Sequence, residues 1–290
     1  MAQYTFIVNP CAGGGHALEV EQKLKEAVDS LNLSADFLHS EQVGHAKQLT
    51  QEAAAAGSET VISVSGDGTN HEVAEGVIGT SAAMGVIPAG TGNDLIKTMG
   101  IPKDPVKALR HLLDHPPRKM DVGRVNDRLF MNVCGTGFDV SVLDQAERYK
   151  QRMRGLMPYL MGLISAIRGN EPIQVQLSVD GGAFHDEKVL ILSVANGRYI
   201  GGGIPICPAA DMSDGMLDLV QVEAVDRRLI PRYLPGLMRA KILDFKITKH
   251  QLCRRVCIRS KGMRIQLDGE IVSMDEADFE ILPGALRARW

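Results

Sequence analysis

Three glycine-rich stretches and a few carboxylates are the residues of this sequence best suited to chemistry. The stretches are Asn9-Pro10-Cys11-Ala12-Gly13-Gly14-Gly15, Ser65-Gly66-Asp67-Gly68-Thr69-Asn70 and Pro88-Ala89-Gly90-Thr91-Gly92-Asn93-Asp94. Each follows a short apolar run that reads as a strand. Glycine lets the main chain turn sharply and come close to a ligand. The exposed N–H groups of such a turn, with a helix start behind them, can hold phosphate oxygens. A single turn of this kind also punctuates ordinary loops, but three at corresponding strand ends should converge on one edge of a sheet. None is the G-x-x-x-x-G-K-[ST] phosphate loop, because no Lys-Ser or Lys-Thr follows, and none fits the G-x-G-x-x-G dinucleotide turn.

Asp67, Asp94 and Asp121 are each expected to follow a strand of a parallel sheet. Carboxylates so placed could surround one Mg2+, a hard cation held by carboxylates, waters and phosphate oxygens. Asp67 and Asp94 also read as turn or cap residues, which Asp commonly is. Phosphoryl transfer needs charge neutralisation and an aligned hydroxyl more than covalent chemistry, and this inventory suits it.

The elements that must position these residues alternate through the first ~120 residues. Strands are expected at Tyr4–Val8, Ala35–His39, Thr60–Val64 and Met84–Ile87, and helices at Ala17–Leu31, His45–Ala56, Glu72–Ile78, Asp94–Met99 and Val106–Leu113. Alternation of this kind implies a parallel sheet covered by helices on both faces, with ligands beyond the carboxyl ends of its strands. After about Asp121 the character changes. Leu129–Val133, Ile173–Val179, Val189–Ala195, Leu217–Val222, Val256–Ile258, Arg264–Leu267 and Phe279–Leu282 read as strands, with Asp180-Gly181-Gly182 a hairpin turn. Helices are expected at Ser141–Lys150, Leu156–Arg168 and Arg227–Ala240. The fold class is therefore α/β plus β-rich: a Rossmann-like α/β domain over 1–123, an antiparallel β-sandwich domain over 124–284 and a tail, 285–290, that could pack on the first domain. The active site is expected in the cleft between the domains.

The 290 residues suit two domains. Hydrophobic content of 44% and charged content of 23% are ordinary for a globular protein. A net charge of −3 argues against a nucleic-acid binder. No signal peptide is read at Met1–Asn9, and the longest near-apolar stretch, Leu156–Ile167, falls short of the ~20 residues that span a bilayer. Five cysteines without metal or disulfide spacing read as reduced cytoplasmic thiols.

Ser65-Gly66-Asp67-Gly68-Thr69, followed by Glu72-Val73, resembles the GGDGT-x-[NH]-E-V block of the diacylglycerol kinase catalytic-domain family. That family includes bacterial lipid kinases of the DgkB and YegS kind and is related to sphingosine kinases. The resemblance extends through Asn9-Pro10, Gly90–Asp94, Met120-Asp121-Val122-Gly123, Asn132–Asp139, Gly201-Gly202-Gly203 and Asp268-Gly269-Glu270, in order along nearly the whole chain. Ser65 and His71 depart from its usual Gly and Asn. The resemblance implies an ATP- and Mg2+-dependent lipid kinase that phosphorylates a membrane lipid, with diacylglycerol the first choice. Phosphatidylglycerol, a sphingoid base or ceramide are alternatives, and an NAD-kinase-like enzyme is a remoter one.

It further implies that Asn9, Ser40, Gly66, Asp67, Gly68, Thr69, Thr91, Gly92 and Asn93 surround the nucleotide. Asp67, Asp94 and Asp121 would serve the catalytic Mg2+, partly through water, and Glu270 would be the general base. Asp211, Asp214 and Met216 would hold a second, structural cation, Mg2+ or Ca2+. An ordinary Asp-Gly turn explains that last loop as well, and Glu270 also reads as a solvated strand residue.

A lipid substrate must be reached from the membrane surface. Between Arg227 and Lys261 there are 11 Lys/Arg and one acidic residue, Asp244, interleaved with Leu229, Ile230, Leu234, Leu237 and Met238. Arg148, Lys150, Arg152 and Arg154 lead into a second candidate, Leu156–Met161. Basic residues beside an apolar face suit an anionic membrane, although the apolar residues could equally face the core. The Met-rich run Met153–Met161 could line an acyl-chain channel or simply pack. The protein is thus expected in the cytoplasm, peripherally on the membrane. A homodimer is left open, and no nucleic-acid partner is expected. A non-catalytic nucleotide-binding module is disfavoured by Asp67, Asp94, Asp121 and Glu270 occurring together. A serine hydrolase is disfavoured by the lack of a G-x-S-x-G elbow.

Overall fold

Met1–Met120 and Gly284–Trp290 pack as one unit and Asp121–Pro283 as another. The computed structural model describes residues 2–150, 153, 157–169 and 172–290.

In the first unit the chain runs β1 (Tyr4–Val8), α1 (His16–Ser30), β2 (Ala35–His39), α2 (His45–Ala55), β3 (Thr60–Ser65), α3 (Asp67–Val77), β4 (Ala83–Pro88), α4 (Asp94–Met99) and α5 (Pro105–Asp114). The strands lie in the order β2-β1-β3-β4, and each neighbouring pair is parallel. β1, β3 and β4 are buried at every residue. A strand covered on both faces needs an unbroken apolar run, and these three have one. β2, at the edge, keeps Asp36 and His39 in water. α5 shows how locally a helix start can be specified: Asp104 accepts the Lys107 N–H at 2.9 Å and Pro105 opens the first turn. α3 begins five residues before its expected start, because its first turn is polar and carries no apolar periodicity.

Residues 284–290 complete this unit. Ala288 pairs with Met84 in parallel, and the Arg289 N–H donates to the Met84 carbonyl at 2.9 Å. The Arg289 guanidinium donates to Thr60 Oγ1 and to the carbonyls of Leu112 and His115. The Trp290 ring lies 3.8 Å from the Arg118 guanidinium.

The rest of the chain forms β5 (Arg118–Val125), β6 (Arg128–Phe130), β7 (Val133–Gly137), α6 (Phe138–Lys150), α7 (Met157–Gly169), β8 (Ile173–Val179), β9 (His185–Ala195), the short β10 (Tyr199–Ile200) and β11 (Ile204–Pro205), β12 (Leu217–Glu223), α8 (Ile230–Met238), β13 (Thr248–Cys253), β14 (Arg255–Leu267) and β15 (Glu270–Ala288). The second unit's strands run β13-β12-β9-β7-β14-β15, with β8 pairing both β9 and β14. These pairs are antiparallel. Alternation along β9 feeds two cores: Leu192 and Val194 join Phe130, Leu177 and Phe279, while Ile191 and Ala195 join Phe138, Leu163 and Val220. α7 crosses α6 closely at Gly162, where a β-carbon would lie 2.5 Å from the Val142 carbonyl oxygen.

Several elements differ from expectation. The single strand expected at Leu129–Val133 is two, β6 and β7, broken at Met131-Asn132. The helix expected over Arg227–Ala240 is a 3-10 turn, Arg227–Leu229, followed by α8. β13 was not expected, since its Thr-Lys-His-Gln sequence carries the polar pattern of an edge strand. All five cysteines are free thiols, with Cys134, Cys207 and Cys253 buried. Among the described residues no helix is long and apolar enough to cross a membrane.

Candidate active site

The three glycine turns of the first unit follow β1, β3 and β4 and touch one another through their backbones. A β-carbon on Gly13 would lie 2.3 Å from the Ala89 carbonyl oxygen, and one on Gly90 would lie 2.4 Å from the Gly66 Cα. Side chains here would force the turns apart, so glycine is a packing requirement. Gly13, Gly14 and Gly15 also take positive φ. Asn9 Nδ2 donates to Thr69 Oγ1 at 2.9 Å, linking the first turn to the second. Ser40, at the end of β2, is buried and donates its N–H to the Val8 carbonyl at 2.9 Å. Asn9, Ser40, Gly66–Thr69 and Thr91–Asn93 therefore share the carboxyl edge of one parallel sheet. Thr91 and Gly68 are exposed there.

Asp67 opens α3, with Gly66 as the extended N-cap residue. Its Oδ2 would lie 2.9 Å from a β-carbon on Gly92, so the second and third turns cradle this carboxylate. The Asp94 N–H points at the same oxygen, 3.4 Å away. Asp94 Oδ1 accepts from Lys97 Nζ at 3.0 Å, and the ammonium also donates to the Gly92 carbonyl. Lys97 thus places a cation among the turns. It was missed in the sequence, although its i,i+3 spacing from Asp94 was a usable signal. Glu72, part of the sequence block, points elsewhere: it accepts the Ala46 N–H at 3.1 Å and satisfies the first turn of α2. Two anionic oxygen donors beside a glycine cradle fit a hard divalent cation.

Asp121 requires a correction. It does not follow a strand of the parallel sheet; it lies within β5 and belongs to the second unit. Arg118-Lys119 at the start of that strand hid it from an apolar-run criterion. Asp121 is buried, and its Oδ2 accepts the Gly215 N–H at 2.7 Å. Its own N–H donates to the Met212 carbonyl at 2.7 Å, and its carbonyl accepts from Asn196. The structure therefore joins Asp121 to the Asp211–Met216 loop. Within that loop Asp211 accepts from the Ser213 N–H and hydroxyl, and Asp214 accepts from the Met216 N–H. Burial raises the Asp214 carboxyl above its usual range, and the carboxylates of Asp218, Asp211 and Asp121 add to the effect.

Asp268 and Glu270 divide the work of their shared motif. Asp268 accepts three backbone N–H groups, from Met131 at 2.7 Å and from Asn132 and Val133 at 3.0 Å. One carboxylate thus satisfies the chain where the β6–β7 strand breaks. Glu270, the first residue of β15, is exposed, and its Oε2 accepts from Arg128. Arg128 was also missed, being remote in sequence from Glu270.

Asp139 is a second buried carboxyl. Its Oδ1 accepts the Val140 N–H at 2.9 Å, and its Oδ2 occupies the space a β-carbon on Gly135 would fill. Among the described residues neither that oxygen nor Ser193 Oγ has a hydrogen-bond partner. Burial pushes the Asp139 pKa from 3.8 up to about 7. Between those values the folded chain holds a proton that the unfolded chain releases. The group's contribution to stability is therefore full below pH ~4, shrinks as pH rises and is lost above about 7. Asp139→Asn should flatten this dependence. At pH 8 it should stabilise the chain by roughly 2–4 kcal/mol over the parent, with the two converging near pH 4. Urea titrations at both pH values check this, and parallel pH profiles would refute it.

The basic segment sorts into two groups. Lys249, Arg255 and Arg259 pair with Glu223, Asp278 and Glu276. Among the described residues, no ion pair involves Arg228, Arg232, Arg239, Lys241 or Lys246. Of the apolar residues among them, Ile230 is buried and Leu234 and Leu237 pack on a core, whereas Leu229 and Met238 are each 46% exposed. In the second candidate, Arg152, Arg154 and Leu156 lie outside the described residues, as does the Lys150 side chain. So does much of the proposed acyl channel, of which Met157 is exposed.

The family model described as diacylglycerol kinase catalytic domain matches residues 3–125. The one described as YegS C-terminal NAD kinase beta sandwich-like domain matches residues 132–289. A protein of Mycobacterium tuberculosis (strain ATCC 25618 / H37Rv) named diacylglycerol kinase is 28% identical over 298 residues, covering 99% of this chain and 94% of that one. A Pseudomonas putida protein named "Probable lipid kinase YegS-like" is 33% identical over 249 residues, covering 84% and 81%. A solved diacylglycerol kinase from Bacillus anthracis str. Sterne is similar with a TM-score of 0.79 at 25% identity, covering 99% and 96%.

Proposed function

Since the chain belongs to the family of YegS-like lipid kinases built on a diacylglycerol kinase catalytic domain, and is a lipid kinase, we propose that it transfers the γ-phosphoryl group of ATP to diacylglycerol, giving phosphatidic acid. The observation that carries this reading is the mutual contact of the three glycine turns around Asp67. Backbone N–H groups of Gly66–Thr69 and Thr91–Asn93 would hold the phosphates, and Asn9 and Ser40 would flank the nucleotide. Asp67, Asp94 and Asp121 would serve Mg2+, partly through water. Bound there, the metal supplies positive charge against the triphosphate. Lys97 keeps Asp94 oriented. Asp211, Asp214 and the Met216 carbonyl would hold a second, structural cation, Mg2+ or Ca2+.

Glu270 takes the proton of the lipid hydroxyl, and Arg128 positions its carboxylate. Phosphoryl transfer through a loose transition state asks little of a base. Glu270→Gln should therefore lower kcat by about 10^2-fold, the low end for general bases, with KM for ATP unchanged. Near-normal turnover would end the assignment. Transfer of labelled phosphate from ATP to a panel of dispersed lipids, with Asp67→Ala as control, tests the substrate. Diacylglycerol should be preferred. Faster labelling of phosphatidylglycerol, ceramide or a sphingoid base would replace it.

The protein would meet its substrate peripherally, from the cytoplasm, with the cations around α8 against an anionic surface at about 1 kcal/mol each. Sedimentation should show tighter binding to anionic than to neutral vesicles, lost in high salt. Equal binding to both would reject electrostatic docking.

A further inference from the structure

We infer that Cys207, Asp218 and His250 form a binding site for a transition-metal cation of the Zn2+ class, distinct from the carboxylate sites assigned above. The three donor atoms lie within 4.8 Å of one another. They come from three segments: the turn after β11, the start of β12 and the middle of β13. In the β12–β13 pairing Asp218 lies opposite Leu252 and Val220 opposite His250, so Asp218 and His250 are diagonal neighbours on one face. His250 Nε2 is 2.6 Å from Asp218 Oδ1. Cys207 is fixed from behind, its N–H donating to the Arg198 carbonyl and its carbonyl accepting from the Ala210 N–H.

The donor set selects the metal. One thiol, one imidazole and one carboxylate suit Zn2+, with bonds of about 2.0–2.3 Å; Mg2+ and Ca2+ take oxygen donors. Tetrahedral bonds of that length put donor atoms roughly 3.3–3.7 Å apart, so small side-chain rotations convert the observed spacing into coordination. Cys207 and Asp218 are 0% and 1% exposed, while the His250 side chain is 26% exposed. Two ligands are thus sheltered and one side stays open for a water as fourth ligand. On binding, the Cys207 thiol proton passes to solvent and the neutral His250 nitrogen donates its lone pair. The metal would tie the segment after β11 to β12 and β13. That segment includes Gly215, the partner of Asp121.

The test uses the full chain, stripped with a chelator and reloaded with Zn2+ or Co2+. Metal analysis should find on the order of one tightly held Zn2+ per chain, and the Co2+ form should show a thiolate-to-cobalt charge-transfer band. Cys207→Ser should abolish the band. His250→Gln, at a partly exposed position that folding tolerates, should weaken Zn2+ binding by about 10–100-fold. Cys11→Ser, at an exposed thiol, should leave both readouts unchanged. The inference is overturned if the reloaded chain retains no Zn2+, if Co2+ binds without the band, or if His250→Gln and Cys207→Ser bind as the parent does.

Discussion

Replacing Asp67 with asparagine should lower phosphoryl transfer by about 10^3-fold, while the chain melts within a few degrees of the parent. Asparagine keeps the shape of the side chain and an oxygen facing the Asp94 N–H, 3.4 Å away in the parent. It removes only the charge. That charge opens α3 beside the turn cradled by Gly92, where the proposed metal and triphosphate would concentrate opposing charge. Losing several kcal/mol of electrostatic stabilisation in the transition state corresponds to about three powers of ten. The structural cost is one favourable helix-dipole interaction, about 0.3–1 kcal/mol. ADP release and thermal melting on the same preparation separate the two effects. A fall of less than about tenfold in kcat would remove Asp67 from the centre of the mechanism.

The second large effect is on folding. Asp268→Ala should destabilise the second unit by about 3–5 kcal/mol. It deletes the common acceptor of the Met131, Asn132 and Val133 N–H groups. Hydrogen bonds to a charged group contribute roughly 1.5–3 kcal/mol each, and water reaches the vacated N–H groups only in part. For a unit of this size the loss corresponds to about 10 °C in Tm. Asp268→Asn, which retains one acceptor oxygen, should fall between the two. Urea unfolding followed by circular dichroism measures both variants. Parent-like stability of Asp268→Ala would mean that the strand break is held by something else.

The fold of the first unit was legible because its signals are local. Unbroken apolar runs at Tyr4–Val8 and Thr60–Val64 and the glycine turns after them are written in neighbouring residues. The contact of those turns followed from their placement at one sheet edge. What sequence reading lost came from distant partners. Asp121 was expected after a strand of the parallel sheet, but it lies within β5 and hydrogen-bonds Met212, Gly215 and Asn196, far along the chain. The Asp268 cap and the Arg128–Glu270 pair likewise join residues more than a hundred positions apart. β13 was hidden because an edge strand has a wet face and little apolar pattern. Lys97, three residues from Asp94, is legible as its i,i+3 partner on α4.

The first unit is not contiguous in the chain: Gly284–Trp290 belong with Met1–Met120. A ribosome adding about 5–20 residues per second needs roughly 10–30 s to make the intervening stretch. Through that interval the nascent amino-terminal layer keeps one flank of β4 without its Ala288 neighbour, a place where another chain's backbone could pair. The order of synthesis therefore delays the Arg289 clasp until the whole intervening unit has been made.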